Sequence, residues 1–183
     1  MIPLSEKACR LEKIFRLSNE AGRLMRDKGM RIALAESCTG GLLAAALTSV
    51  AGSSEYFYGG VVSYSNQAKI DFLAVAPQVL DSWGAVSAPT ARQMAANVKA
   101  RCGTDIGLAI TGIAGPGGGS EHKPVGLVYF SLAAGGMIKV KKEFLTGDRQ
   151  EVRLAAVETA LSWLIQFLQG GDSNFAPKTI HRD

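Results

Sequence analysis

Arg31-Ile-Ala-Leu-Ala-Glu-Ser-Cys-Thr-Gly-Gly-Leu-Leu-Ala-Ala-Ala-Leu-Thr-Ser-Val50 is the stretch that decides the fold. Residues 31–35 form a short apolar run of strand length, and residues 36–41 a polar turn ending in two glycines. Leu42 to Val50 is rich in Ala and Leu and stops at Gly52, which predicts a helix. The unit is therefore strand, polar turn, helix.

Toward the N-terminus, residues 5–28 read as a helix, because Leu11, Ile14, Phe15, Ala21, Leu24 and Met25 make an apolar stripe that ends at Gly29. Downstream, a strand covers residues 56–64. Ser65 or Asn66 then caps a short helix carrying Lys69, Ile70, Phe72 and Leu73. Ser87 or Pro89 opens a helix through about Arg101, with Met94, Ala95 and Val98 inside. Residues 105–111 are an apolar strand running into a glycine-rich loop that ends at Pro124. Strands at 125–134 and 137–145 flank Gly135-Gly136, a hairpin signal, and Asp148 begins a helix to Leu168. Alternating strands and helices followed by a hairpin predict an α/β layered domain with a mostly parallel sheet and at least one antiparallel strand. Residues 1–170 read as one domain, and 171–183 as a flexible tail.

Composition narrows the function. The 183 residues are 47% hydrophobic and 20% charged, ordinary for a folded domain and against global disorder. A net charge of only +4, with Lys139, Lys141 and Lys142 as the densest cluster, is a poor nucleic-acid footprint. Cys9, Cys38 and Cys102 are odd in number and widely spaced, which argues against a disulfide framework or a zinc site. His122 and His181 are the two histidines, so a histidine-based metal site or a Ser-His-Asp triad has few candidates. No run approaches the roughly 20 apolar residues of a membrane span. Charges at Glu6, Arg10, Glu12 and Lys13 interrupt any signal-peptide pattern. A cytoplasmic protein without a membrane partner is expected.

Three loops follow the carboxyl ends of expected strands: Ser37–Gly41, Tyr64–Lys69 and Thr111–Ser120. Ligands of open α/β sheets bind in the crevice outside such ends. Gly40 and Gly41 permit close backbone approach, and the helix behind them offers amides to a phosphate or an oxyanion. On the pattern alone, Ser37 or Thr39 could equally be a helix cap. Lys69 lies in the first turn of its helix, the wrong end of the dipole for a cation. Partly desolvated there, its amine would have a lowered pKa and could serve a serine hydroxyl as base. A solvated surface lysine is the bland alternative. Cys38 could be a helix-terminal thiolate or a small buried side chain. Gly112, Gly115, Pro116, Gly117, Gly118 and Gly119 make the third loop either a floppy connection or a backbone-lined ligand wall. His122, at its far end, reads as an exposed loop residue.

Together the motifs Glu36-Ser-Cys-Thr-Gly-Gly41, Tyr64-Ser-Asn-Gln-Ala-Lys69, Gly84-Ala-Val-Ser87, Thr111-Gly-Ile-Ala-Gly-Pro116 with Lys123-Pro-Val-Gly126, and Gly147-Asp-Arg149 resemble the CinA C-terminal domain family over residues 15–168. That resemblance implies a three-layer α/β/α sandwich and nicotinamide-nucleotide amidase activity, the hydrolysis of nicotinamide mononucleotide to nicotinate mononucleotide and ammonia in pyridine-nucleotide salvage. It implies a serine nucleophile and a lysine base, which map onto Ser37 and Lys69, and no metal or organic cofactor. Some family members carry a larger N-terminal domain linked to ADP-ribose hydrolysis. This chain is too short to hold it, so that second activity is not expected.

In that scheme the backbone amides of Cys38, Thr39, Gly40 and Gly41 stabilise the oxyanion. Thr111, Gly112, Gly115, Pro116 and Gly117 line the ribose and phosphate. Tyr64 stacks on the pyridinium ring or orients Lys69, and Arg149 either pairs with the phosphate or is exposed at a helix start. Two other readings share the crevice: a non-catalytic pyridine-nucleotide-binding module and an amidase for another small carboxamide. The expected partner is a small nucleotide. A homo-oligomer is left open, with Phe57 and Trp83 placed either at an interface or in the core.

Overall fold

A computed structural model describes residues 4–170, with the side chains of 4–6 left aside. The tail expected at 171–183 lies outside the described residues. Five strands form one sheet: β1 (Ile32–Glu36), β2 (Phe57–Val62), β3 (Ile106–Gly112), β4 (Leu127–Ala134) and β5 (Met137–Phe144). Their order is β2-β1-β3-β4-β5. β2, β1 and β3 are mutually parallel, and β4 runs antiparallel to both β3 and β5. Four strands therefore point one way and β4 the other, the mostly parallel sheet that the element order predicts.

The helices are α1 (Leu4–Asp27), α2 (Leu42–Thr48), α3 (Asn66–Leu73), α4 (Pro77–Trp83), α5 (Ala88–Cys102) and α6 (Arg149–Leu168). Sheet alternation sorts the core into two layers. Ile32, Leu34, Ile106, Leu108, Ile110, Val128 and Phe130 point into a large cluster shared with α1, α2 and α6. Ala33, Ala35, Ala109 and Ala133 point the other way, toward α3, α4 and α5. Big side chains on one face and small ones on the other let α5 lie close to the sheet. At Gly107 a Cβ would stand 2.2 Å from the Ala95 carbonyl oxygen of α5. Buried on both faces, the parallel strands read as continuous apolar runs, which is why β1 and β3 were legible.

The helix starts follow local chemistry. Ser65 caps α3 by accepting from the Ala68 amide, and Ser87 caps α5 by accepting from Thr90. Asp148 and Glu151 form a reciprocal capping box at α6. The sequence reading passed over α4, whose seven residues hold too short an apolar pattern to register. Phe57 packs half-buried against the larger core, whereas Trp83 is exposed.

Candidate active site

The chain leaves β1 for α2 on one face of the sheet and returns through α5 on the other, so its winding reverses at β1. The crevice beside β1 is the switch point where open sheets bind ligands. Ser37 sits there. Its amide donates to the Ile110 carbonyl, while Glu36 accepts from the Ser63 amide, extending the sheet one step on both sides.

Alternation then separates neighbours. Glu36 continues the parity of Ile32 and Leu34 and turns toward α2, and Ser37 continues that of Ala33 and Ala35 and turns toward α3. From α3, Lys69 and Leu73 project inward one turn apart, both buried. The Lys69 Nζ lies 3.0 Å from the Ser37 Oγ and donates to the Ser63 carbonyl at 2.7 Å. Lys69 is 1% exposed and Ser37 7%. Burial pulls the Lys69 amine down to about 8. The snorkelling surface lysine is excluded, and the two residues that the sequence pairs across 32 positions meet within proton-transfer range.

The turn between them departs from expectation. The Glu36 carboxylate accepts from the Gly41, Leu43 and Ala44 amides at 3.0, 3.2 and 2.8 Å. The head of α2 thus already holds an anion, supplied by the chain itself, and neither Ser37 nor Thr39 caps it. The Gly40 amide donates to the Ser37 carbonyl. Of the four amides assigned to the oxyanion, those of Gly40 and Gly41 are therefore taken. No backbone carbonyl of the described residues accepts from the Cys38 or Thr39 amide. Thr39 is fully buried, with its hydroxyl unpartnered among the described residues. Cys38 packs into the larger core, and burial pushes its thiol up to about 11, which removes the thiolate reading.

The family model described as the CinA C-terminal domain matches residues 14–168. The chain belongs to the CinA C-terminal domain family. A CinA-like protein of Syntrophomonas wolfei is 51% identical over 147 residues, covering 80% of this chain and 35% of that protein. The chain thus spans about a third of the length of that curated relative. Competence damage-inducible protein A of Klebsiella pneumoniae superposes with a TM-score of 0.83 at 36% identity, covering 85% of this chain and 97% of that one. Competence/damage inducible protein CihA of Agrobacterium tumefaciens gives 0.82 at 44%, covering 86% and 96%. These matches establish the three-layer CinA fold.

In this CinA domain the third loop meets the second through Arg149, the first residue of α6. Its Nη1 donates to the Gly115 carbonyl and its Nη2 to the Tyr64 hydroxyl, both at 2.7 Å. Arg149 is thus a bridge between loops, and Tyr64 is oriented by Arg149 with its ring exposed. Gly115, Pro116 and Arg149 line a cleft of about 430 Å³ that the dyad itself does not line. Thr111 is fully buried, and its hydroxyl donates to the Ala85 carbonyl at 2.8 Å, anchoring the 84–87 segment. Gly112 is filled by β4, since a Cβ there would meet the Leu127 oxygen at 2.8 Å. Both residues shape the wall of the strand-end crevice. Gly117 and His122 are exposed. The Gly115–Pro116 bond is cis.

Glu36, Ser63 and Arg153 were given no role on sequence grounds. Glu36 belongs to the Glu36–Gly41 motif, but its bonds reach amides five to eight positions ahead, outside any capping pattern. Among the described residues, no group of three or more His, Cys, Asp or Glu side chains is placed to hold a metal ion, and no helix is long and apolar enough to cross a membrane.

Proposed function

We propose that this CinA domain is a nicotinamide-nucleotide amidase that hydrolyses nicotinamide mononucleotide through a Ser37–Lys69 dyad. The observation that carries this reading is the 3.0 Å approach of a nearly sealed lysine amine to a serine hydroxyl at the switch point. A neutral amine has one lone pair for the Ser37 proton while an N–H stays on the Ser63 carbonyl.

In the acylation step Ser37 Oγ bonds to the carboxamide carbon and its proton passes to Lys69. The carbonyl electrons move onto oxygen, where the Cys38 amide receives the charge. Collapse breaks the C–N bond, and ammonia leaves with the proton from Lys69. Water then adds to the ester, with Lys69 again taking and returning a proton, and nicotinate mononucleotide departs. The Arg149 guanidinium, with Gly115 and Pro116, supplies a cationic wall suited to the phosphate end, and the exposed Tyr64 ring suits a pyridinium face.

The test is ammonia release from nicotinamide, its riboside, its mononucleotide and the dinucleotide. Preference for the mononucleotide is the expected result. Saturable binding of pyridine nucleotides without ammonia release would replace the reading with a non-catalytic binding module. Faster release from another carboxamide would move the substrate. A cytoplasmic setting accords with a soluble nucleotide substrate.

A further inference from the structure

We infer that Arg153 is a positioning residue that holds the turn behind the Ser37 nucleophile in its oxyanion-binding shape. The inference rests on the amidase reading only in taking Ser37 as a nucleophile.

Arg149 and Arg153 are four residues apart on α6, so their side chains leave the same face of the helix. Arg149 ties the Gly115 and Tyr64 loops together. Arg153 reaches the remaining loop, where its Nη2 donates to the Thr39 carbonyl at 2.8 Å. One helix face thereby pins all three strand-end loops of the site. The peptide joining Thr39 to Gly40 is held at both ends, because its carbonyl accepts from Arg153 and its N–H donates to the Ser37 carbonyl at 3.1 Å. The Ser37 carbonyl that accepts this bond shares its planar peptide with the Cys38 N–H, so the pair also restrains rotation of the Cys38 amide.

The contact is close. Gly40 has a φ of +62°, and a Cβ there would stand 3.3 Å from the Arg153 Nη2. Among the described residues no carboxylate pairs with this guanidinium, and its Nε is buried without a partner. A cation unpaired with any described carboxylate therefore stands against the turn that carries Ser37, where it can offset the negative charge that grows as Ser37 attacks. A preorganised donor and a fixed charge lower the barrier to forming the oxyanion while leaving ground-state binding alone.

The experiment measures phosphonylation of Ser37 by an alkyl fluorophosphonate in the full chain, with the labelled peptide identified by mass spectrometry. In that step Ser37 Oγ bonds to phosphorus, fluoride leaves, Lys69 takes the proton, and the phosphoryl oxygen occupies the oxyanion position. The reaction does not depend on the natural substrate. Wild type should be labelled at Ser37. Arg153→Met should be labelled ten- to a hundredfold more slowly, and Arg153→Lys, which keeps a charged donor, should recover most of the rate.

On nicotinamide mononucleotide the same order should appear in kcat with KM within about twofold, and melting temperatures should not follow it. Equal labelling of folded Arg153→Met and wild type overturns the inference, as does a loss confined to KM. If Arg153→Met does not fold, Arg153→Gln decides, since it removes the charge: a tenfold or greater loss with unchanged melting supports the role, and any smaller loss overturns it. Wild type that is labelled at Ser37 but releases no ammonia sinks the amidase reading alone. Wild type that is not labelled at Ser37 sinks the inference.

Discussion

The Lys69 amine is bound more tightly to the Ser63 carbonyl, at 2.7 Å, than to the Ser37 hydroxyl, at 3.0 Å. A carbonyl can only accept, so this bond fixes one N–H and aims what remains of the nitrogen at Ser37. A protonated amine has no lone pair for the hydroxyl, so the dyad works only through the neutral fraction of Lys69. Burial sets that pKa at about 8, which leaves about a tenth of the amine neutral at pH 7. The expected kcat/KM for ammonia release therefore rises close to tenfold per pH unit below about 8 and levels off above it. A profile that is flat or falling between pH 6 and 8 contradicts the assignment of Lys69 as base.

The same burial has a thermodynamic counterpart. An unfolded lysine titrates near 10.5, the folded one near 8. Between those values the unfolded chain holds a proton that the folded chain has lost, so stability rises with pH across that window. Below 8 both states are protonated and the penalty is constant. Lys69→Met removes the titrating group. The stability difference between wild type and Lys69→Met, read by urea denaturation at pH 7 and pH 10, should shift in favour of wild type by up to about 3 kcal/mol. A difference that does not change with pH means that the folded amine is solvated.

Glu36 supplies the turn with its shape. Its three amide bonds hold Gly41, Leu43 and Ala44 on one buried carboxylate. Glu36→Gln turns an NH2 group toward at least one of those donors and removes the charge facing the positive end of α2. A loss of about 2–4 kcal/mol is expected in chemical denaturation, with kcat falling alongside because the Ser37 turn loosens. Unchanged stability shows that the cluster is not held by charge.

Gly107 sets the spacing of α5 from the sheet. A methyl group there would stand 2.2 Å from Ala95 O and 2.7 Å from the Lys99 Cβ, and neither backbone nor Cβ can swing aside. Gly107→Ala should cost about 1–3 kcal/mol by overpacking, seen as a lowered denaturation midpoint with an unchanged slope. A wild-type midpoint shows that α5 can shift without loss.

What was legible in the sequence was local or periodic. The two-sided apolar runs of β1 and β3 and the helix starts at Ser65, Ser87 and Asp148 depend on residues within four positions; the structure selects Ser65 over Asn66 and Ser87 over Pro89, and adds Glu151 to Asp148 as a capping box. The Ser37–Lys69 pairing was reached because both residues lay in loops at strand ends and matched a family pattern. The rest depends on reach across the fold. The Glu36 bonds run forward past an entire turn, Arg149 spans 85 positions to Tyr64, and Arg153 spans 114 to Thr39. Long side chains on a helix face carry no sequence signal for which loop they will meet. The turn offers fewer free amides than its sequence suggests, because the Glu36 carboxylate occupies the head of α2.

The most direct test of the Ser37–Lys69 account is saturated ammonia release from nicotinamide mononucleotide at pH 8.5 by wild type and by Ser37→Ala, each shown folded by circular dichroism. Removing the hydroxyl deletes one bond to Lys69 and little packing, so Ser37→Ala should fold, bind the nucleotide and release ammonia at the buffer rate. Release by folded Ser37→Ala within tenfold of wild type means that the hydroxyl is not the nucleophile.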